Sequence, residues 1–313
     1  MEQRELGKSG IAVSALGLGC NAFGARIGLD EAREVVAAAL DEGITFFDNA
    51  DGYGKTFGAC EEVLGEVLKD LGADVVIATK CGANPKGWDH PMDLSAAHIV
   101  EAAEASLRRL RVECIDLYQF HFPDPSTPIE ESLKAADTLV RQGKVRALGC
   151  SNFSPELMRE ALGISASEGL ARFETAQDEY HLLKRDIEGT VVPVVKEAGM
   201  GLLPYFPLAG GLLTGKYRAG TPAGSRFEKT PGIAGQFTTD RNMALVERLA
   251  AIADAAGCSL PDIAIGWLLA RDYVPSVIAG ATSAAQIRAN AASARRKLDA
   301  GVMAAVDTAL ADA

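Results

Sequence analysis

Eight short apolar segments alternate with longer amphipathic segments from one end of the chain to the other. Such alternation is typical of βα units, which build parallel sheets. Several apolar segments, such as Val-Val-Ile-Ala at 75–78, are continuously apolar, as expected for strands covered on both faces. The predicted strands are 15–19, 44–48, 75–79, 115–120, 145–150, 173–177, 201–206 and 276–280.

The segments between these strands have helical spacing. In 60–71, for example, apolar residues recur every three or four positions between glutamates. Before the first predicted strand, 4–6 and 11–13 flank Gly-Lys-Ser-Gly, which predicts a β-hairpin that caps one end of a barrel. Eight βα units in 313 residues predict a single α/β domain, residues 1–313, folded as a (β/α)₈ TIM barrel. A doubly wound open sheet is the alternative.

Composition narrows the classes of function. The net charge of −11 and the absence of a basic run argue against nucleic-acid binding. The chain shows neither a signal-peptide pattern nor an uninterrupted run of 18 apolar residues, so we expect a cytoplasmic protein without a membrane segment. Six scattered cysteines without metal-ligand spacing predict free, mostly buried thiols and no metal site. No oligomeric state is predicted.

Polar residues stand at the ends of nearly all the predicted strands. They are Asp48, Lys80, His121, the pair Ser151 and Asn152, Gln177, and Tyr205. The carboxyl ends of the strands build the active site of a (β/α)₈ barrel. A strand-end lysine or a lone histidine is an ordinary structural residue when taken singly, whereas the whole set at one mouth predicts a catalytic site.

The motif FFDNADGYG, 46–54, ends a strand on Asp48 and holds Tyr53 between two glycines. A tyrosine has an unperturbed pKa near 10, so it needs a neighbouring cation to exchange protons near neutral pH. Lys80 is the predicted cation, held by Asp48, and His121 adds a second hydrogen bond. The set lacks an activated nucleophile and a metal-ligand cluster. It suits proton transfer to a carbonyl oxygen while a cofactor delivers hydride.

These residues resemble the aldo-keto reductase superfamily, and the resemblance covers essentially the whole chain. FFDNADGYG is similar to its Asp-x-x-x-x-Tyr-Gly motif, ATK at 78–80 to its lysine strand, and YQFH at 118–121 to its histidine strand. Within the superfamily, the chain resembles the branch of bacterial general reductases and potassium-channel β subunits. The resemblance implies an NAD(P)H-dependent oxidoreductase whose catalytic residues are Asp48, Tyr53, Lys80 and His121.

The same resemblance implies where the cofactor binds. GCSNF at 149–153 and AQDEYHLL at 176–183 match the segments that hold the nicotinamide amide, and PLAGGLLTGKY at 207–217 and AGATSAAQIRAN at 279–290 match the phosphate and adenosine segments. The implied contacts are Asp48, Ser151, Asn152, Gln177, Tyr205 (stacked on the nicotinamide), Phe206, Leu208, Gly210, Lys216, Arg226, Gly280, Thr282, Gln286 and Asn290.

Two departures from the family pattern concern the cofactor. Phe206 stands where most relatives have serine, which removes one hydrogen bond to the phosphates. Thr282 stands where many relatives have a basic residue at the 2′-phosphate. NADPH is expected over NADH, with Arg226, Gln286 and Arg288 left to bind that phosphate.

The predicted substrate pocket comprises Phe23, Tyr53, Trp88, His121 and Phe122, and the predicted substrate is an aldehyde or ketone of modest size, or the corresponding alcohol. Three alternatives remain open. They are a non-catalytic NADP(H)-binding redox sensor that docks on a partner protein, an NAD-dependent sugar or alcohol dehydrogenase, and a metal-dependent barrel hydrolase. The missing His-x-His counts against the last of these.

Overall fold

A computed structural model describes residues 1–84 and 91–311. Eight parallel strands close into a barrel in the order β10-β3-β4-β5-β6-β7-β8-β9. These strands are β3 (Leu16–Gly19), β4 (Phe46–Asp48), β5 (Val76–Cys81), β6 (Ile115–Phe120), β7 (Val145–Ser151), β8 (Phe173–Glu179), β9 (Gly201–Tyr205) and β10 (Val277–Gly280). The closed sheet confirms the predicted (β/α)₈ barrel and excludes the open sheet.

Twelve α-helices are present in the described residues. They are α1 (Leu29–Asp41), α2 (Ala59–Leu71), α3 (Ala96–Leu110), α4 (Ile129–Arg141), α5 (Pro155–Glu168), α6 (Val191–Ala198), α7 (Arg226–Lys229), α8 (Pro231–Phe237), α9 (Asp240–Ala255), α10 (Leu260–Leu269), α11 (Ala284–Arg295) and α12 (Ala300–Ala311). Side-chain caps define the first residues of several helices. At the start of α5, for example, Ser154 precedes Pro155 and its side chain accepts a hydrogen bond from the Leu157 amide. Helical spacing in the sequence predicts helices over about 30–42, 60–71, 95–110, 128–142, 155–168, 191–198, 241–256, 261–270 and 284–293, and one more at the C-terminus. The nine ranges agree with the observed helices to within about two residues, whereas α7 and α8 were not predicted.

The antiparallel hairpin of β1 (Gln3–Glu5) and β2 (Ala12–Ser14) closes one end of the barrel. Its apolar residues Leu6, Ile11 and Val13 form one buried cluster with barrel residues that include Phe46 and Leu117. The hairpin was therefore predicted correctly. Because this end is filled with apolar side chains, polar chemistry is confined to the opposite end of the barrel.

The many glycines and threonines of segment 207–240 predict a long loop, but the segment is more ordered than that. It contains a 3₁₀ turn over Ala209–Thr214 and the two short helices α7 and α8. Phe227 and Phe237 anchor these helices in the main core cluster. The prediction of an irregular loop was wrong because two aromatic anchors in a polar segment leave no periodic signal.

The cysteines and the lengths of the helices bear on two further expectations from the sequence. All six cysteines are free, four of them buried, as predicted. In the same part of the chain, no single helix has both the length and the apolar character to cross a membrane, although α9 and α10, bent by 94°, pass that test as a pair.

Candidate active site

A buried ion pair forms the base of the site. Asp48, the last residue of β4, is 3% exposed, and Lys80 in β5 is fully buried. Lys80 Nζ donates to Asp48 Oδ2 at 2.7 Å and to the backbone oxygen of Asn49 at 2.9 Å. Burial alone would lower the pKa of Lys80, but the Asp48 carboxylate and the Tyr53 hydroxyl outweigh it and raise that pKa. Lys80 is therefore a cation at neutral pH.

Tyr53 lies directly above this pair. Lys80 Nζ is 5.2 Å from the centroid of the Tyr53 ring and shares a hydrogen bond with its hydroxyl. The loop that carries Tyr53 is fixed by backbone bonds, including Gly58 N to Asp51 O at 2.7 Å and Cys60 N to Tyr53 O at 3.2 Å. Tyr53 is therefore presented to the mouth of the barrel by a hydrogen-bonded turn.

The pKa of Tyr53 differs from the sequence-based expectation. Lys80 does act to lower it, but burial of the hydroxyl is the larger cause, and the pKa is raised from its ordinary value. The sequence indicated Lys80 as the neighbouring cation, but it did not indicate that the Tyr53 hydroxyl is removed from solvent. At neutral pH the Tyr53 hydroxyl is protonated, which is the state that a general acid needs.

His121 completes the set just beyond the end of β6. Its ring meets the Tyr53 ring edge to face, and Phe122 stacks on it with centroids 5.1 Å apart. Burial, followed by the charge of Lys80, lowers the pKa of His121 well below 6.5. The imidazole is neutral at physiological pH and can act as a hydrogen-bond donor without adding charge.

Two glutamine side chains beneath this set contact Asp48. Gln177 in β8 donates to Asp48 Oδ1 at 2.9 Å, and Gln119 in β6 donates to the same oxygen at 3.2 Å. Sequence reasoning assigned Gln177 to the cofactor and missed Gln119. A signal was present, because Leu117, Gln119 and His121 alternate along one strand and Leu117 is in the barrel interior.

The residues predicted to hold a nicotinamide amide lie side by side at the ends of β7, β8 and β9. Asn152, at φ +60°, donates to the backbone oxygen of His121 at 3.1 Å, and its own amide oxygen accepts a bond from the Tyr205 hydroxyl at 2.8 Å. Ser151 donates to the backbone oxygen of Gln177 at 2.8 Å. This region connects directly to the catalytic set through His121 and Gln177.

The predicted phosphate segment begins where β9 ends. Phe206, Ala209, Gly210 and Gly211 all have positive φ, between 49° and 108°. Turns with such φ values can form anion-binding concavities, although here the amides of Ala209 and Gly211 already donate to the backbone oxygens of Phe206 and Leu208 at 2.7 and 2.8 Å. A Cβ at Gly210 would stand 3.0 Å from the Phe237 ring, so a larger residue cannot replace this glycine without displacing that anchor. Leu208, just before the glycines, packs half-buried against the core.

Two basic side chains flank that segment. The Arg226 guanidinium lies 5.2 Å from the centroid of Phe206, and Lys216 Nζ lies 5.1 Å from that of Tyr217. Within the described residues neither forms a salt bridge with a carboxylate. Cations held by aromatic rings rather than by acids retain their capacity to bind an anion.

The predicted adenosine segment lies at the start of α11. The Thr282 amide donates to Gln286 Oε1 at 2.8 Å, and Asn290, one turn further along the helix, is 7% exposed. Gly280 ends β10 and is exposed. Arg288, the other basic candidate here, has its guanidinium 4.0 Å from Asp41 of α1. Its side chain therefore points to the neighbouring helix.

Only some of the residues predicted to line the substrate pocket lie beside the catalytic set. Phe122 is half-buried beside His121, whereas Phe23 is fully buried in the main core cluster. A ring without exposed surface belongs to the core, so the expectation that Phe23 lines an open pocket does not agree with its position. Trp88 lies outside the described residues. In the described ranges, no group of three or more potential metal ligands occurs.

Comparison with known proteins shows the family of the chain. A model of the Aldo/keto reductase family matches residues 15–311. The chain belongs to this family. Aldo/keto reductases generally use NAD(P)H, and the protein is an oxidoreductase of this class.

Curated relatives come from two branches of the family. The chain is 37% identical over 303 residues to a probable voltage-gated potassium channel subunit beta of Arabidopsis thaliana, covering 93% of this chain and 90% of that protein. The corresponding protein of Oryza sativa has the same identity and coverage. An L-glyceraldehyde 3-phosphate reductase of Escherichia coli K12 is 33% identical over 300 residues, covering 93% of this chain and 86% of that enzyme.

Proposed function

We propose that this aldo/keto reductase reduces an aldehyde or a ketone to an alcohol with NADPH, and that Tyr53 is the general acid. The observation that carries the proposal is the contact of the protonated hydroxyl of the half-buried Tyr53 with a buried Lys80–Asp48 pair. A cytoplasmic location and a small-molecule substrate are part of the same proposal.

Each catalytic side chain has a separate task. The cofactor, when bound, supplies hydride to the carbonyl carbon. Tyr53 donates its proton to the carbonyl oxygen, and the Lys80 charge stabilises the phenolate that remains. His121, neutral and adjacent to Tyr53, donates a hydrogen bond to the same oxygen as it gains negative charge. Asp48 keeps Lys80 in place and charged.

The side chains around the mouth fit a phosphate-bearing dinucleotide. The amides of Asn152 and Gln177 and the hydroxyl of Ser151 supply donors and acceptors for a carboxamide. The cations of Lys216 and Arg226, which flank the positive-φ segment 206–211, suit phosphates. Arg226 is the proposed contact for the 2′-phosphate that distinguishes NADPH, since position 282 is threonine and Arg288 points to α1.

The substrate class follows from the chemistry and from one relative. The E. coli relative is named for an aldehyde that carries a phosphate. Small aldehydes, with and without a phosphate, are therefore the first substrates to test, followed by ketones and sugars.

The test is NADPH consumption, followed by absorbance at about 340 nm, across a panel that includes L-glyceraldehyde 3-phosphate, unphosphorylated glyceraldehyde, aromatic aldehydes and ketones. The Tyr53→Phe variant is the matched control. We expect turnover of at least one aldehyde that depends on Tyr53. Absence of turnover in both directions, with NADPH and NADH, would overturn the proposal.

The plant relatives favour a second candidate. Their names describe a channel subunit, which suggests a cofactor-binding protein that docks on a partner. This candidate predicts that the protein shifts NADPH fluorescence without turning over any carbonyl substrate. An oxidative role, as a sugar or alcohol dehydrogenase, predicts faster turnover with alcohols and NAD⁺ than with carbonyls and NADPH.

A further inference from the structure

Asp48 accepts hydrogen bonds from three side chains on three different strands. Oδ2 accepts from Lys80 on β5, and Oδ1 accepts from both Gln119 on β6 and Gln177 on β8. Both glutamines are buried, at 0% and 2% exposure. An ion-paired carboxylate accepts and does not donate, so each glutamine must turn its NH₂ group toward Asp48. The orientation of both amides is thereby determined.

The two glutamines are also in contact with each other. Gln177 Nε2 lies 3.5 Å from Gln119 Oε1, at the limit of a hydrogen bond. Gln177 is thus the outer member of the pair, next to Ser151 and Asn152. Within the described residues, the side-chain hydrogen bonds of Gln119 reach only Asp48 and Gln177. The two donors to the same oxygen are therefore not equivalent.

This difference matters if Gln177 also binds the cofactor amide, as proposed above. If the NH₂ group of Gln177 donates to the carboxamide oxygen of the cofactor, its bond to Asp48 Oδ1 is weakened. Gln119 would then be the remaining amide donor to that oxygen during the reaction. Its bond would keep Oδ2 directed at Lys80, and Lys80 in turn directed at Tyr53.

We propose that Gln119 is a positioning residue for the reaction, which holds Asp48 Oδ1 while Gln177 serves the cofactor. The inference rests on the proposed function for the reaction itself and for the role of Gln177. The described side-chain hydrogen bonds of Gln119 are to Asp48 and Gln177, so we infer that it acts on the reaction through Asp48 and Lys80. The simpler alternative is that Gln119 only satisfies a buried carboxylate, and the two roles predict different measurements.

The principal test compares Gln119→Met with Gln177→Met, because methionine keeps the length of the side chain without its donor. For Gln119→Met we expect kcat to fall about tenfold or more, as for a lost bond to a charged group, with the NADPH dissociation constant within about twofold of the wild type. Gln177→Met should weaken NADPH binding as well. Wild-type kcat in Gln119→Met, or loss of NADPH affinity equal to that of Gln177→Met, would overturn the proposal.

A spectroscopic readout separates positioning from a structural role and needs no turnover. After burial, the largest cause, the charges of Lys80, Asp48 and Cys60 act on the pKa of Tyr53, and Asp48 acts to raise it. His121 and Tyr205 are the other titratable groups beside it. Without the Gln119 bond, more of the Asp48 charge acts on the hydroxyl. The ultraviolet difference titration of phenolate, with the Tyr53→Phe background subtracted, should therefore show Tyr53 ionising at higher pH in Gln119→Met. An unchanged Tyr53 titration means that Gln119 is structural only.

Gln119→Glu provides a second variant in case the methionine variant does not fold. A protonated glutamic acid can donate to Asp48, whereas an ionised one repels it. We expect kcat near that of the wild type at acidic pH and a progressive loss as pH rises. A pH profile of kcat identical to that of the wild type would overturn the proposal. If the wild type itself shows no turnover, the proposed function fails, while the Tyr53 titration still tests Gln119.

Discussion

The rings of Tyr53 and His121 meet edge to face, with their centroids 5.4 Å apart and their planes at 79°. Burial raises the pKa of the tyrosine and lowers that of the histidine, so both are neutral at physiological pH. The formal charges beside them, those of Lys80 and Asp48, form an ion pair. At physiological pH Tyr53 therefore holds the proton that a carbonyl oxygen would accept as it gains negative charge.

Tyr53→Phe removes that proton but leaves the predicted contacts with the cofactor phosphates in place. We expect kcat for carbonyl reduction to fall by about two to four orders of magnitude, the usual contribution of a general acid. NADPH affinity, measured by fluorescence, should remain near that of the wild type. Near-normal turnover would refute the assignment of Tyr53.

Lys80→Met leaves the Asp48 carboxylate buried without its cation. Breaking a buried pair by removing one partner typically costs about 3–5 kcal/mol, so we expect a lower melting temperature together with loss of turnover. Any residual alcohol oxidation should lose its alkaline limb or show it at higher pH, because Lys80 acts to lower the pKa of Tyr53. An active variant with the wild-type pH profile would show that Lys80 has no catalytic role.

Arg226→Ala tests cofactor choice. A charge-assisted bond to phosphate is worth roughly 1.5–3 kcal/mol, so NADPH affinity should fall about ten- to a hundredfold while NADH affinity changes little. Lys229→Ala is the matched control, because Lys229 is an exposed cation at the other end of α7. Equal losses for both cofactors would mean that Arg226 supports the Phe206 ring or the pyrophosphate. A wild type that prefers NADH would refute the assignment.

Asp178→Asn tests a buried carboxyl group outside the catalytic set. Burial, and then the charge of Asp186, raises the pKa of Asp178 from 3.8 to about 7. Between these two values the unfolded chain is ionised and the folded protein is not, so Asp178 reduces stability progressively as pH rises. Above about pH 7 the reduction is complete, with an upper limit of about 4 kcal/mol.

The asparagine variant should therefore gain stability over the wild type between pH 4 and 7, measured as the difference in urea midpoints at each pH. Asp186→Asn removes the second cause and should give a smaller gain over the same range. A pH-independent difference between Asp178→Asn and the wild type would contradict the raised pKa.

The sequence predicted the barrel and its hairpin because strands and helices of this fold have strong and distinct periodicities. It also predicted which polar side chains stand at the mouth, since a lysine or histidine that ends an apolar run is visible in one dimension. It did not predict that burial outweighs Lys80 in setting the pKa of Tyr53, because solvent exclusion depends on the whole barrel. Gln119 was missed, although it alternates with Leu117 and His121, because its partner Asp48 lies 71 positions away.

The bonds to Asp48 also have a consequence for folding. Its partners lie on β5, β6 and β8, and the most distant of them, Gln177, follows Asp48 by 129 positions in the sequence. Contacts of such long separation form late, because the intervening chain must be ordered first. During refolding from urea, enzymatic activity should therefore return after helical circular dichroism does. A truncated chain ending before β8 would have to enclose Asp48 without the bond from Gln177.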